Sequence, residues 1–144
     1  MRIDNAELDK MFAIAGITRT DLHDALRSMG RKMLSKKTME WSEEYPTRNY
    51  CYVVSEMIFA YLAPEGSVAY KLRVLGDEAW HRFVKYPDGQ IVDLTVDQFV
   101  DYSLIDYNNA KTQGFMYPSP SKRARHLAEL LKLGKPIRGH LIKD

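Results

Sequence analysis

Hydrophobic and polar positions change their period several times along the chain. From Ala6 to Ala15, Leu8, Met11, Phe12 and Ala15 recur three and four residues apart, which lines one face of an α-helix. Gly16 suits the stop of that helix. Thr18 or Thr20 can cap a second helix, with Asp21 near its positive end. Leu22, Leu26, Met29 and Met33 make its stripe, weakened at Gly30, and the methionines read as core packing. A third helix is predicted over Cys51–Leu62, with Val54, Met57, Ile58, Tyr61 and Leu62 on one face. That nearly complete apolar stripe makes it the central helix. Ala63-Pro64-Glu65-Gly66-Ser67 breaks it.

The period then falls to two. Ala69 to Leu75 reads as a strand, with Tyr70, Leu72 and Val74 on one face and Lys71 and Arg73 on the other. Gly76-Asp77-Glu78 turns into Trp80-His81-Arg82-Phe83-Val84-Lys85, a second strand. Tyr86-Pro87-Asp88-Gly89 is turn chemistry: proline presets φ, aspartate accepts backbone hydrogen bonds and glycine takes positive φ. A three-residue loop at Pro87-Asp88-Gly89 pairs Tyr86 with Gln90 and sets Phe83 opposite Asp93. His81 is then diagonal to Asp93 on one face, and a looser loop or bulge would put the two directly opposite.

Beyond Thr95 the pattern weakens. Val96 to Leu104 reads as a short helix, Ile105 to Gly114 as surface loop, and Gly114-Phe115-Met116-Tyr117-Pro118 as a segment that docks on the core or lines a cleft. Ser119 as cap and Pro120 at the first position start a last helix. It runs to about Leu133 with Leu127, Leu130 and Leu131 inward and Gly134 as its stop. Lys135–Asp144 has no periodicity and is expected to be dispensable for folding. The sum is an α+β domain: N-terminal helices and a central Cys-bearing helix packed on a small antiparallel sheet of at least three strands. A single domain over 1–144 is expected, with a helical part at 1–40, a core at 50–99 and a C-terminal helix at 119–133.

Composition narrows the function classes. A chain of 144 residues that is 45 % hydrophobic and 28 % charged can bury a core without staples. Its single cysteine excludes an intramolecular disulfide and a multi-cysteine zinc site, and fits a reducing compartment. The start Met1-Arg2-Ile3-Asp4-Asn5 is charged, so no signal peptide is expected, and no stretch reaches the length of a membrane span. A cytoplasmic location is the expectation. The net charge of +2 does not by itself argue for nucleic acid. Gly30 to Lys37, with Arg31, Lys32, Lys36 and Lys37, reads as a solvated helix end. The basic turn Ser121–His126 has no interleaved aromatics and is a weak nucleic-acid signal.

The chemistry-bearing residues fall in the middle. Cys51 begins a helix, where the dipole and the unpaired N–H groups favour a thiolate. His81 and Asp93 lie within hydrogen-bonding reach on adjacent strands. Thiolate, imidazolium and an orienting carboxylate make an activated nucleophile. Trp41, Tyr45 and Asn49 lie on the approach to Cys51, and Trp80 precedes His81; these are the candidate substrate-binding residues. No Gln stands just before Cys51 to stabilise an oxyanion, although the backbone N–H of Cys51 can donate to one. His23, His126 and His140 read as surface residues, and no His-x-x-x-His or Gly-rich phosphate motif is present.

The order Cys at a helix start, His on a strand, and Asp on the next strand followed by Leu94-Thr95 resembles the transglutaminase-like core of the papain-like cysteine hydrolase superfamily. The resemblance covers roughly Tyr50 to Phe99. Leu94 stands where that family usually has Pro, Tyr50 where a small residue is common, and the interval from Cys51 to His81 is short, implying a minimal core with one intervening strand. The chain is also similar to small phage and bacterial proteins with a Cys…His…Asp layout. The resemblance implies a cysteine-dependent hydrolase or acyl transferase acting on an amide or ester bond, with Cys51, His81 and Asp93 as catalytic residues. It implies no metal or organic cofactor and a protein or peptide-like amide substrate. The alternative is a non-catalytic binding or inhibitory module on a degenerate papain-like scaffold, phage-encoded and directed at a host protein, gripping its partner through the basic C-terminal helix.

Overall fold

In a computed structural model, residues 5–29, 50–73, 80–96, 105–112 and 120–137 are described. They form an α+β arrangement of four α-helices and a four-stranded antiparallel sheet. Helices α1 (Asn5–Ala15) and α2 (Arg19–Met29) are the predicted N-terminal pair. Leu8, Met11, Phe12, Leu22, Leu26 and Met29 are all buried, as the helical spacing predicts. Gly16, at φ +84, ends α1, and Thr18 caps α2 through its hydroxyl, which accepts from the amide of Asp21 at 3.0 Å.

Helix α3 (Cys51–Met57) begins at the predicted residue, but its geometry changes before the predicted end. Ile58–Leu62 continues as a π turn, closed by the Ala63 amide on the Ile58 carbonyl at 2.8 Å. The cause is local. In an α-helix the carbonyl of Ala60 would accept from residue 64, and Pro64 has no N–H to give. The amide of Ile137 takes that place at 2.6 Å. The C-terminal segment is therefore hydrogen-bonded to the core at Ile137, within the stretch expected to be dispensable for folding. The predicted one-sided stripe is also too narrow, since every residue from Val53 to Tyr61 is buried.

Strands β1 (Val68–Arg73), β2 (Trp80–Lys85), β3 (Ile91–Val92) and β4 (Lys111–Thr112) are ordered β3-β2-β1-β4. The hairpin register is the predicted one. Val84 faces Val92, Lys85 faces Ile91, and Tyr86 donates to the carbonyl of Gln90 at 2.8 Å across the three-residue loop. Asp88 accepts from the Gln90 amide at 3.0 Å, and Gly89 takes φ +88. Strand β4 lies in the stretch whose pattern predicts surface loop. Two exposed residues carry too little alternation to announce a strand; pairing with β1 makes it one.

The last helix, α4 (Lys122–Leu130), is capped by Ser121 and not by Ser119. The Ser121 hydroxyl accepts from the Ala124 amide at 3.2 Å. Ser121 also donates its own amide and hydroxyl to the buried carboxylate of Glu56 at 2.8 and 2.6 Å, so α3 dictates where α4 starts. The helix ends at Leu130 with Leu131 as its cap, earlier than the Leu133 end and Gly134 stop expected. Lys132 adopts φ +59, with Leu133 N–H on the Ala128 carbonyl and Lys132 N–H on that of Glu129, both at 3.0 Å, a Schellman closure. Leu127 is inward, whereas Leu130 is exposed. The basic run at 30–37, the short helix expected after Val96 and the apolar segment 114–118 lie outside the described residues.

Candidate functional site

Tyr50 places the start of α3. It is fully buried, its carbonyl accepts the first helical bond from Val54 at 2.9 Å, and it gives no side-chain cap. The next residue, half-buried Cys51, sits against β2, where its thiol donates to the carbonyl of Trp80 at 3.7 Å. Tyr52 follows onto the same strand, its ring 4.6 Å from the Arg82 guanidinium.

His81 lies between these contacts, pointing to the other face of β2. It is 1 % exposed, and its Nε2 is 2.6 Å from Oδ2 of Asp93, which is equally buried. Asp93 is the first residue past β3, and continuing the hairpin register puts it opposite Phe83, diagonal to His81. The Cys51 side chain lies close enough to His81 to raise its pKa. With Nε2 occupied by Asp93, Nδ1 is the ring nitrogen left for sulfur. The three residues singled out in the sequence therefore meet in one cluster. Trp80 flanks it, half-buried. Trp41, Tyr45 and Asn49 lie outside the described residues.

Burial pushes the His81 pKa down, because an imidazolium is poorly solvated there. The charge and hydrogen bond of Asp93, then the nearby Cys51, more than reverse this and raise it to about 10. His81 is therefore an imidazolium at neutral pH, held between a carboxylate and a sulfur.

One member of the cluster is not visible in the sequence. Tyr107 donates its hydroxyl to the same Asp93 Oδ2 at 2.7 Å. It sits on a short 3-10 turn, Tyr107–Asn109, organised by Asp106, whose carboxylate accepts from the Asn108 amide at 3.1 Å and the Asn109 side chain at 2.8 Å. Its ring meets Phe83 edge-on at 4.9 Å, and Phe83 stacks on Tyr70 at 5.5 Å. Burial and the neighbouring Asp93 charge push the Tyr107 pKa up, so it stays a neutral donor. The only local signal is the Asp-Tyr-Asn-Asn turn chemistry, which does not say where the tyrosine points. From α1, Met11 Sδ accepts the Asp93 amide at 3.3 Å. Asp93 Oδ1 has no hydrogen-bond donor among the described residues.

A cleft of about 290 Å³ lies on the α1 side of Tyr107, lined by Glu7, Lys10, Met11, Ile14, Gln90 and Tyr107 among others. Neither Cys51 nor His81 borders it, so it is not where a group attacked by sulfur would lie. No cluster of His, Cys, Asp and Glu able to hold a metal ion occurs among the described residues. Among them, too, no helix is long and apolar enough to cross a membrane.

A family model described as YunG protein matches residues 18–133. The chain belongs to the YunG protein family. The matched span contains Cys51, His81, Asp93 and Tyr107, whereas α1, which supplies Met11, precedes it. No curated protein and no solved structure matches the chain.

Proposed function

We propose that this YunG-family protein is a cysteine-dependent hydrolase or acyl transferase acting on an amide or ester bond, built on a minimal papain-like, transglutaminase-like core. The observation that carries the reading is the buried 2.6 Å contact between His81 and Asp93, with the Cys51 thiol on the carbonyl of the adjacent Trp80 and close enough to the same imidazole to raise its pKa. Such an arrangement stores charge where nucleophilic chemistry uses it. A Cys51 thiolate attacks the carbonyl carbon and forms the carbon–sulfur bond. The His81 imidazolium then gives its proton to the leaving amine or alcohol as that bond breaks. Neutral His81 next takes a proton from water or an acceptor amine, which attacks the thioester and releases Cys51. Asp93 holds the ring so that Nδ1 faces the sulfur, and it offsets the imidazolium charge throughout. Tyr107 acts through Asp93 and is a positioning residue: its hydroxyl donates to the carboxylate oxygen that His81 also meets.

The test is a panel of peptide, amide and ester substrates with wild type, Cys51→Ala, His81→Ala and the double variant. Residues that act as one unit lose activity non-additively. Each single variant is expected to fall by about a thousandfold or more, with the double variant little worse. Wild-type turnover that survives Cys51→Ala would remove the nucleophile assignment. Iodoacetamide rates from about pH 5 to 9 give a second readout, with alkylation persisting to lower pH in wild type than in His81→Ala. Superimposable curves would mean that sulfur and imidazole do not cooperate, and would favour a binding module.

A further inference from the structure

The face of the sheet opposite His81 carries an unusual row of charge. Residues directly opposite one another in an antiparallel pair project to the same side. Arg82 of β2 faces Lys71 of β1, and Lys71 faces Lys111 of β4. Three cations therefore stand side by side across three strands, with neighbouring strands only about 4.8 Å apart. One step along the same face, Arg73 is opposite Trp80. The Trp80 ring lies between two of these cations, with Lys71 Nζ 4.2 Å and the Arg73 guanidinium 4.7 Å from its centre. Like charges directly opposite destabilise a sheet. No acidic residue from the four strands shares this face. The row also touches the nucleophile's own helix turn. Trp80 gives its carbonyl to the Cys51 thiol, and Arg82 rests on the ring of Tyr52.

We propose that this face is the recognition surface for an acidic peptide segment of the substrate, which brings the scissile carbonyl to Cys51. The inference rests on the acyl-transfer reading for its chemistry but not for its geometry. An extended peptide rich in Asp and Glu lays carboxylates along the row, where Arg82 can take one bidentately and Lys71 and Lys111 act as point charges. Peptide is favoured over nucleic acid because the neighbouring group is a sulfur whose reaction needs an acyl carbon, which a polynucleotide backbone does not offer.

The experiment uses the full chain carrying Cys51→Ala, so that binding is read without turnover. A fluorescein-labelled glutamate-rich peptide and its glutamine counterpart are compared by anisotropy at low and at physiological salt. The glutamate peptide is expected to bind at least about tenfold more tightly at low salt, with the difference shrinking as salt screens it. Lys71→Glu is expected to abolish that preference while leaving the melting temperature unchanged or higher, because it relieves the like-charge row. Lys111→Gln gives a second, milder variant. In wild type, the glutamate peptide should also slow alkylation of Cys51. Equal binding of the two peptides, an unchanged preference in Lys71→Glu, binding without protection of Cys51, or tighter binding of a single-stranded oligonucleotide than of the acidic peptide would each overturn the proposal. Binding and protection without turnover of any acyl substrate would leave the recognition surface standing and remove the acyl-transfer reading instead.

Discussion

Strand β2 treats charge in opposite ways on its two faces. On one, His81 is sealed from water and meets the carboxylate of Asp93 at 2.6 Å, with Tyr107 on the same oxygen. On the other, half-buried Arg82 stands beside Lys71, and Lys71 beside Lys111, with no carboxylate from the strands between them. The contrast follows from the solvent. A buried charge keeps its ionised form only if a partner replaces the lost hydration, so the inner face holds its ions as a pair. Water screens the outer face enough for like charges to coexist at a small cost. The first arrangement fixes the orientation of its side chains, whereas the second sets like charges side by side.

The comparison breaks most severely if one ion of the inner pair is removed. His81→Ala leaves the buried Asp93 carboxyl without its ion-pair partner, and is expected to lower unfolding free energy by about 3–5 kcal/mol in urea titrations. Removing both charges with His81→Leu and Asp93→Leu together should recover part of that loss. Recovery of nothing would mean that the pair contributes packing rather than charge.

Alkaline pH reaches the same pair without mutation. The His81 pKa is raised from 6.5 to about 10 on folding. The folded state therefore holds this proton more tightly than the unfolded chain, and the resulting stability is fully present below about pH 6.5. It is lost progressively as pH rises through about 10. The melting temperature should fall by several degrees across that window, and the slope should flatten in His81→Ala. Any acyl-transfer activity should lose its alkaline limb over the same range, because neutral His81 cannot protonate the leaving group.

Tyr107→Phe sharpens the picture with a smaller change, one hydroxyl. A hydrogen bond to a charged group contributes about 1.5–3 kcal/mol. The variant is expected to lose at most that much stability and about tenfold in kcat, with KM nearly unchanged, since Tyr107 acts through Asp93. A change confined to KM would place the hydroxyl at the substrate instead.

The outer face should respond least and with the opposite sign. Lys71→Gln removes one like-charge neighbour from each side and should be neutral or stabilising by about 0.2–1 kcal/mol. Thermal melts at low salt, where exposed charges are least screened, measure this most clearly. A clear destabilisation would show that the contact of Lys71 with the Trp80 ring outweighs the like-charge repulsion.

What is legible in the sequence is whatever short-range physics decides. Apolar spacing places α1, α2 and the start of α3. The Tyr86-Pro87-Asp88-Gly89 chemistry sets the turn and, through it, the register of the hairpin. A period of two then leaves no freedom about which face His81 and Asp93 share, so their pairing follows from the residue order alone. The interval from Cys51 to His81, short as it is, suffices because α3 lies directly on β2 and needs only β1 between them.

What tertiary structure alone decided depends on partners far away in the chain. By pattern, Glu56 is one more residue of an amphipathic helix; that it is buried and sets the start of α4 depends on Ser121, sixty-five residues later. Ile137 belongs by pattern to an aperiodic tail, yet Pro64 leaves the carbonyl of Ala60 in need of a donor and Ile137 supplies it. Strand β4 exists only because β1 offers it an edge, and that pairing alone completes the cation row. Tyr107 is the sharpest case. Its turn is local, but the carboxylate it reaches is fixed by the hairpin and by Met11 of α1, so no window of sequence contains the contact. Periodicity and turn chemistry act over a few residues and can be read directly, whereas the partner of a buried polar group is chosen by where the whole chain closes around it.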